Sequence, residues 1–167
     1  MNITMHTMAV EQCAHFLGNL SNLLDKGAAY AQAKKFEPSV LVNSRLAPDM
    51  LPLSRQVQIA CDMIKNGTAR LAAQDAPRFE DNEQTIDELK ARIAKTIAYI
   101  KSVPASAFAG SEDRDITIPM RDTPLEMKGL PYLRNFVLPN FYFHVSMTYA
   151  LLRHNGVEVG KRDFMGA

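Results

Sequence analysis

Between Thr85 and Pro104 the apolar residues Ile86, Leu89, Ile93, Ile97 and Ile100 recur at intervals of three and four. That spacing puts all five on one stripe of an α-helix and is incompatible with a strand, whose side chains alternate. Thr85 and Glu88 stand at capping-box spacing at its start, and Pro104 marks its end. A helix with one apolar stripe must bury it against another element, and three further segments supply partners. From Thr7 to Ala33 the stripe is Cys13, Leu17, Leu20 and Leu24, widened by Phe16 and Leu23. From Asp49 to Ala73 it is Met50, Leu53, Val57, Ala60, Ile64, Thr68 and Leu71. Gln58, Asp62 and Lys65 are expected to look outward there, and Gly67 is a local weakness of roughly 1 kcal/mol against alanine. The last segment, Pro131 to His154, contains Pro139, which should kink or restart it. Asn155-Gly156 stops it, because both residues tolerate the left-handed conformation.

The intervening chain has different signals. Pro38 and Pro48 break the first linker, and Pro38 suits the first turn of a short helix. Pro77 breaks the second. In the third, Ile116, Ile118 and Met120 alternate, and after Arg121-Asp122-Thr123-Pro124 the alternation resumes with Leu125 and Met127 until Gly129. This predicts a small β-hairpin, which must lie on the helices because two strands alone are marginal in water. The fold class is all-α: a four-helix bundle over residues 1–167, with a hairpin between the third and fourth helices.

At 167 residues and 47% hydrophobic composition the chain can bury one core as a single domain. A net charge of +1 provides no field to attract nucleic acid or an anionic membrane. No apolar run approaches the ~18 residues a membrane span needs. Cys13 and Cys61 lack metal-ligand or redox spacing and read as reduced, buried hydrophobes. The first basic side chain is Lys26, too late for a secretory leader. A cytoplasmic protein is expected.

His144 and His154 share the last helix, ten residues apart. They point about 80° apart and lie about 15 Å apart along the axis. One metal ion with ligands at about 2 Å cannot bridge them. His154 sits in the last turn, where it complements the helix dipole. His144 shares a stripe with Val137, Phe141, Met147 and Leu151, and Asn140, His144 and Thr148 form a polar column on it. Two readings stay open. In one, His144 is a hydrogen-bonded core residue fixing helix register. In the other, the column lines a pocket in which His144 acts as acid, base or single ligand, with Tyr149 and Gln56 as further wall residues. His15 lies off the first helix's apolar stripe and reads as exposed or at a subunit contact, and His6 sits in the N-terminal segment. No phosphate loop, GxSxG or HExxH is present.

Three stretches carry a resemblance: RLAPDMLPLSRQVQIACD (residues 45–62), SAFAGSEDR (residues 106–114) and LPNFYFHVSMTYALLRHNGVEVGKRDF (residues 138–164). Together they resemble a bacterial domain-of-unknown-function family, itself similar to the DinB/YfiT-like four-helix bundles often described as metalloenzymes. In metal-binding members one histidine comes from the second helix and two from the fourth, four residues apart. His144 matches the first of that pair, Thr148 stands where the second would be, and residues 49–73 contain no histidine. The resemblance therefore implies a bundle without the three-histidine centre and with no cofactor expected. The alternative is a metal- or histidine-dependent enzyme of transferase or hydrolase type with a site rebuilt around His144, Zn or Ni being the candidate metals. It also implies a homodimer.

Overall fold

The computed structural model describes residues 3–167, and in it each apolar stripe is the buried side of a helix. The long helices are α1 (Cys13–Lys34), α3 (Leu53–Leu71), α4 (Ile86–Ser102) and α6 (Leu138–His154). A short α2 (Ser39–Val42) follows Pro38 as expected. The strands β1 (Asp115–Ile118) and β2 (Leu125–Lys128) precede a helical turn, α5 (Gly129–Tyr132), and the chain closes with α7 (Lys161–Met165).

Local chemistry sets the boundaries. Helix α3 begins at Leu53 and not at Asp49, because Pro52 takes an extended conformation (ψ 167°) as its N-cap. At α4 the Thr85 side chain accepts from the Glu88 N–H, while the Glu88 carboxylate accepts from the Thr85 N–H, completing the expected box. Helix α1 is preceded by a π-helical segment, Thr7–Gln12, and α6 by another, Leu133–Val137. The second explains how the helix passes Pro139. A proline clashes with the carbonyl four residues back, and widening the preceding turns to an i→i+5 pattern relieves that clash. Leu138 N–H accordingly donates to the Leu133 carbonyl.

The hairpin pairs Ile116 with Met127 and Ile118 with Leu125. It ends before Met120, since Pro119 has no N–H to continue the ladder and Met120 is exposed. Ile116 and Ile118 are buried, so β1 lies on the bundle. The Arg114 guanidinium donates to the Leu71 carbonyl and ties the hairpin to the end of α3. Gly129 is required where β2 turns into α5: a Cβ there would stand 1.7 Å from the Ser111 carbonyl oxygen.

Residue pairs give the helix directions. Phe16 meets Tyr142 and Gly27 meets Leu152, so α1 and α6 run parallel. Gly67 meets Val137 and Gln56 meets His144, so α3 and α6 run antiparallel. His6, ahead of α1, packs on Phe108, beyond the end of α4, and Lys90 pairs with Asp25, so α1 and α4 are antiparallel. It follows that α3 and α4 point the same way. Helices α1 and α3 each pack on α4 and α6 and face each other across the diagonal of the bundle.

Two parallel neighbours need a connection that travels back along the bundle. Residues 72–85 make it, and their extended reach of about 45 Å exceeds the ~28 Å length of α3. This strap crosses the face of α3 that was expected to be solvated. Phe79 lies on the Lys65 and Lys95 ammonium groups, at 4.4 and 4.2 Å from its ring centre. Asp81 accepts from Arg55 (2.6 Å), and Glu83 accepts from Gln58 (2.8 Å). At the centre the Arg92 side chain is only 1% exposed and its guanidinium reaches Asp62, Asp81 and Glu83 at 2.9 to 3.0 Å, as well as the Glu80 carbonyl at 2.9 Å. Gln58 and Lys65 are thus buried, contrary to the outward orientation their polarity implies. Gly67 is likewise more than a weak point, because a Cβ there would come within 2.8 Å of a Val137 methyl. The glycine lets α3 and the π-helical turn before α6 approach closely.

Candidate functional site around His144

Gln56 sits in the first turn of α3, beneath the extended residues that lead into it. Its amide nitrogen donates to the Leu51 carbonyl at 3.0 Å. That bond fixes the amide orientation and turns Oε1 towards α6, where it lies 2.7 Å from His144 Nδ1. An amide oxygen can only accept, so Nδ1 carries the proton and donates. In the neutral ring the lone pair is then on Nε2. Gln56 is buried and His144 half-buried, and burial pushes the imidazole pKa below its ordinary value. At neutral pH the group is an uncharged imidazole of defined tautomer.

The rest of the column has local duties. Thr148 is fully buried, and its hydroxyl donates to the His144 carbonyl one turn back (3.0 Å). Asn140 donates its amide to the Phe136 carbonyl (2.7 Å), within the turns that Pro139 distorts. Tyr149 does not join the site. Five residues beyond His144, it points about 140° away around the helix and packs on Phe164 of α7, with ring centres 6.1 Å apart. Of the residues expected at a pocket, the structure unites His144 and Gln56, leaves Asn140 and Thr148 one turn to either side bonded to backbone carbonyls of their own helix, and sends Tyr149 to the α7 side.

Two features of the surroundings carry no sequence signal. The Phe143 ring stands edge-on to the imidazole at 5.1 Å and is 54% exposed, while Leu51, whose carbonyl holds Gln56, is 44% exposed. An exposed aromatic ring therefore flanks the imidazole. Large apolar side chains left in water are the one hint that a contact surface exists here. His144 is on the wall of none of the five principal clefts of the described residues.

The remaining histidines have separate roles. His15 Nε2 lies 2.9 Å from the Met165 carbonyl and helps hold α7 on α1, while His154 is exposed in the last turn of α6. Tyr142 accepts from Gln12 (2.5 Å), and burial, with Cys13 close by, pushes its hydroxyl up to about 12. Cys13 and Cys61 are free and buried, and burial pushes both thiols up to about 12, so neither is poised as a nucleophile.

A transition-metal centre does not fit this donor set. Among the described residues no three His, Cys, Asp or Glu side chains come together as ligands. Beside His144 stand an amide and a hydroxyl, both poor ligands for zinc or nickel, and Gln56 already engages one ring nitrogen.

No helix among the described residues is long and apolar enough to cross a membrane. No curated protein matches the chain. Its fold and sequence are similar to those in the crystal structure of a DinB family member protein from Shewanella denitrificans. The two are 42% identical over 98% of this chain and 92% of that one, with a TM-score of 0.93. The sequence profile of a domain of unknown function, DUF1993, matches residues 5–165. Over residues 5–165, nearly its whole length, the chain belongs to the DUF1993 family, within the DinB-like helical bundles.

Proposed function

We propose that this chain is a cytoplasmic, homodimeric DinB-like bundle that binds a small molecule beside His144 without a three-histidine metal centre. The observation that carries the reading is the Gln56–His144 hydrogen bond. It engages the nitrogen facing α3, sets the tautomer and leaves Nε2 as the ring's acceptor, on an imidazole flanked by the exposed Phe143 ring. Such a site suits a compact molecule with one hydrogen-bond donor and an apolar body. The homodimer reading is supported by Phe143, a large apolar side chain of α6 that is 54% exposed. Cytoplasmic residence is in keeping with two free, buried cysteines.

Elemental analysis of untagged protein after incubation with Zn²⁺, Ni²⁺ and Mn²⁺ tests the metal-free part. No stoichiometric metal is expected, and one ion per chain that disappears in His144→Ala would overturn it. A fragment screen read on the His144 ring resonances tests the binding part. Saturable shifts, absent from a folded His144→Ala variant, are expected; a screen in which no fragment moves that ring would count against the site.

The exposed side of the imidazole also favours a second reading, an enzyme using Nε2 as a general base. That reading requires an activity lost in His144→Ala with the fold intact, and shifted in its pH profile by Gln56→Glu.

A further inference from the structure

We propose that the groove between α6 and α7 is a second binding site, specific for small aromatic carboxylates. It has a volume of about 320 Å³ and is lined by Ser146, Tyr149, Lys161 and Phe164. Two aromatic rings form its walls, Tyr149 from α6 and Phe164 from α7, inclined at 73°. This leaves an edge and a face for a third ring, the arrangement aromatic clusters prefer.

The wall is built rather than incidental. Helix α7 is clamped to α1 by three interactions: Asn19 donates to the Phe164 carbonyl (3.1 Å), His15 Nε2 lies 2.9 Å from the Met165 carbonyl, and Lys26 pairs with Asp163 (2.6 Å), whose other oxygen accepts from the Gly160 N–H at the start of α7 itself (2.8 Å). Phe164 also packs against Phe16 at 5.4 Å, so its ring is held from behind while its other side faces the groove. Gly166 completes the clamp, because in its left-handed conformation (φ +73°) a Cβ would stand 2.5 Å from the Asn19 side chain.

Charge selects the ligand class. Lys161 lines the groove and has no carboxylate partner among the described residues; the acid two positions on, Asp163, is already paired with Lys26. The lining surface itself is mostly apolar. One cationic residue beside two aromatic rings complements a molecule with one ring and one carboxylate. The volume admits such a molecule and is too small for a docked peptide helix, whose diameter alone is about 10 Å.

The test is a titration of ¹⁵N-labelled protein with phenylacetate, acetate and benzyl alcohol. Phenylacetate is expected to give saturable shifts centred on Ser146, Tyr149, Lys161 and Phe164, with acetate and benzyl alcohol each much weaker. Lys161→Glu, an exposed substitution that replaces attraction with repulsion, should weaken phenylacetate about tenfold or more, and Tyr149→Leu several-fold. Acetate binding as tightly as phenylacetate would overturn the aromatic specificity, and benzyl alcohol doing so would overturn the role of charge. Shifts centred on Gln56 and His144, or none up to millimolar ligand, would overturn the site itself. Because the two sites lie on different sides of α6, the residues that move separate this inference from the His144 reading.

Discussion

Replacing Arg92 tests the physical logic of the strap. The side chain is 1% exposed and, among the described residues, its guanidinium is the only group that reaches Asp62, Asp81 and Glu83 together. In Arg92→Met the hydrophobic stem survives while the charge and the planar fork are lost. Asp62 keeps Lys65 and Asp81 keeps Arg55, but Glu83, 11% exposed, is left with the neutral Gln58. Removing one member of a buried ionic cluster costs about 3–5 kcal/mol, because the remaining charges stay desolvated. Against a typical total of about 5–15 kcal/mol, this brings the protein close to its unfolding threshold. Arg92→Lys should fall between the two, keeping the charge but not the fork. The deficit also has a definite pH dependence. Burial raises the Asp81 pKa, but the hydrogen bond from Arg55 and the charges of Arg92 and Arg55 outweigh it and hold the carboxyl below its ordinary range. A carboxylate depressed in the native state contributes stability above its unfolded pKa of about 3.9 and loses it as pH falls through the native value. Urea denaturation followed by far-UV circular dichroism should therefore show a large gap between wild type and Arg92→Met at pH 7, narrowing towards pH 3. A gap under about 1 kcal/mol at pH 7, or one that persists unchanged at pH 3, would refute the reasoning.

Further outcomes follow from other contacts. Native His144 has a pKa below 6.5, so as pH falls through that window the unfolded chain takes up the proton first and stability declines. Gln56→Glu should reverse the sign by pairing the ring with a carboxylate and raising its pKa, measured by NMR titration of the ring protons. In an open helix Gly67→Ala would stabilise by roughly 1 kcal/mol, but here the Val137 methyl 2.8 Å away makes it destabilising by thermal melt, and Val137→Ala should restore the loss. Thr85→Ala removes the α4 capping box and should cost about 1 kcal/mol in chemical denaturation, with Thr85→Ser nearly neutral.

Where burial leaves a period in the chain, the fold was legible. The stripes of α1, α3, α4 and α6, the Thr85–Glu88 box and the alternation of Ile116 and Ile118 each required only local spacing. The burial of Gln58 and Lys65 was not legible, because what covers them is an aperiodic strap 14 to 25 residues away in sequence. The π-helical turns leave no composition signal, although Pro139 announces that something must give. At the site, Gln56 could be named as a polar residue of the right helix, but its pairing with His144 depends on the antiparallel register of α3 and α6. Tyr149 was misplaced beside His144 even though helical arithmetic alone separates the two by about 140°.

The diagonal placement of α1 and α3 has a consequence for how the protein is made. Synthesis proceeds from the N-terminus, so the first two long helices emerge before either of the helices they pack against. Neither can shelter its apolar stripe on the other. Nascent chains up to about Leu71 therefore hold Leu17, Leu24, Val57 and Ile64 without a partner, and even with α4 in place the α3 surface that receives α6 stays open. The core closes only when the last third of the chain leaves the ribosome. The surface that receives α6 is thus the last to be covered, and exposed apolar surface of that kind is what holding chaperones shield in a newly made chain.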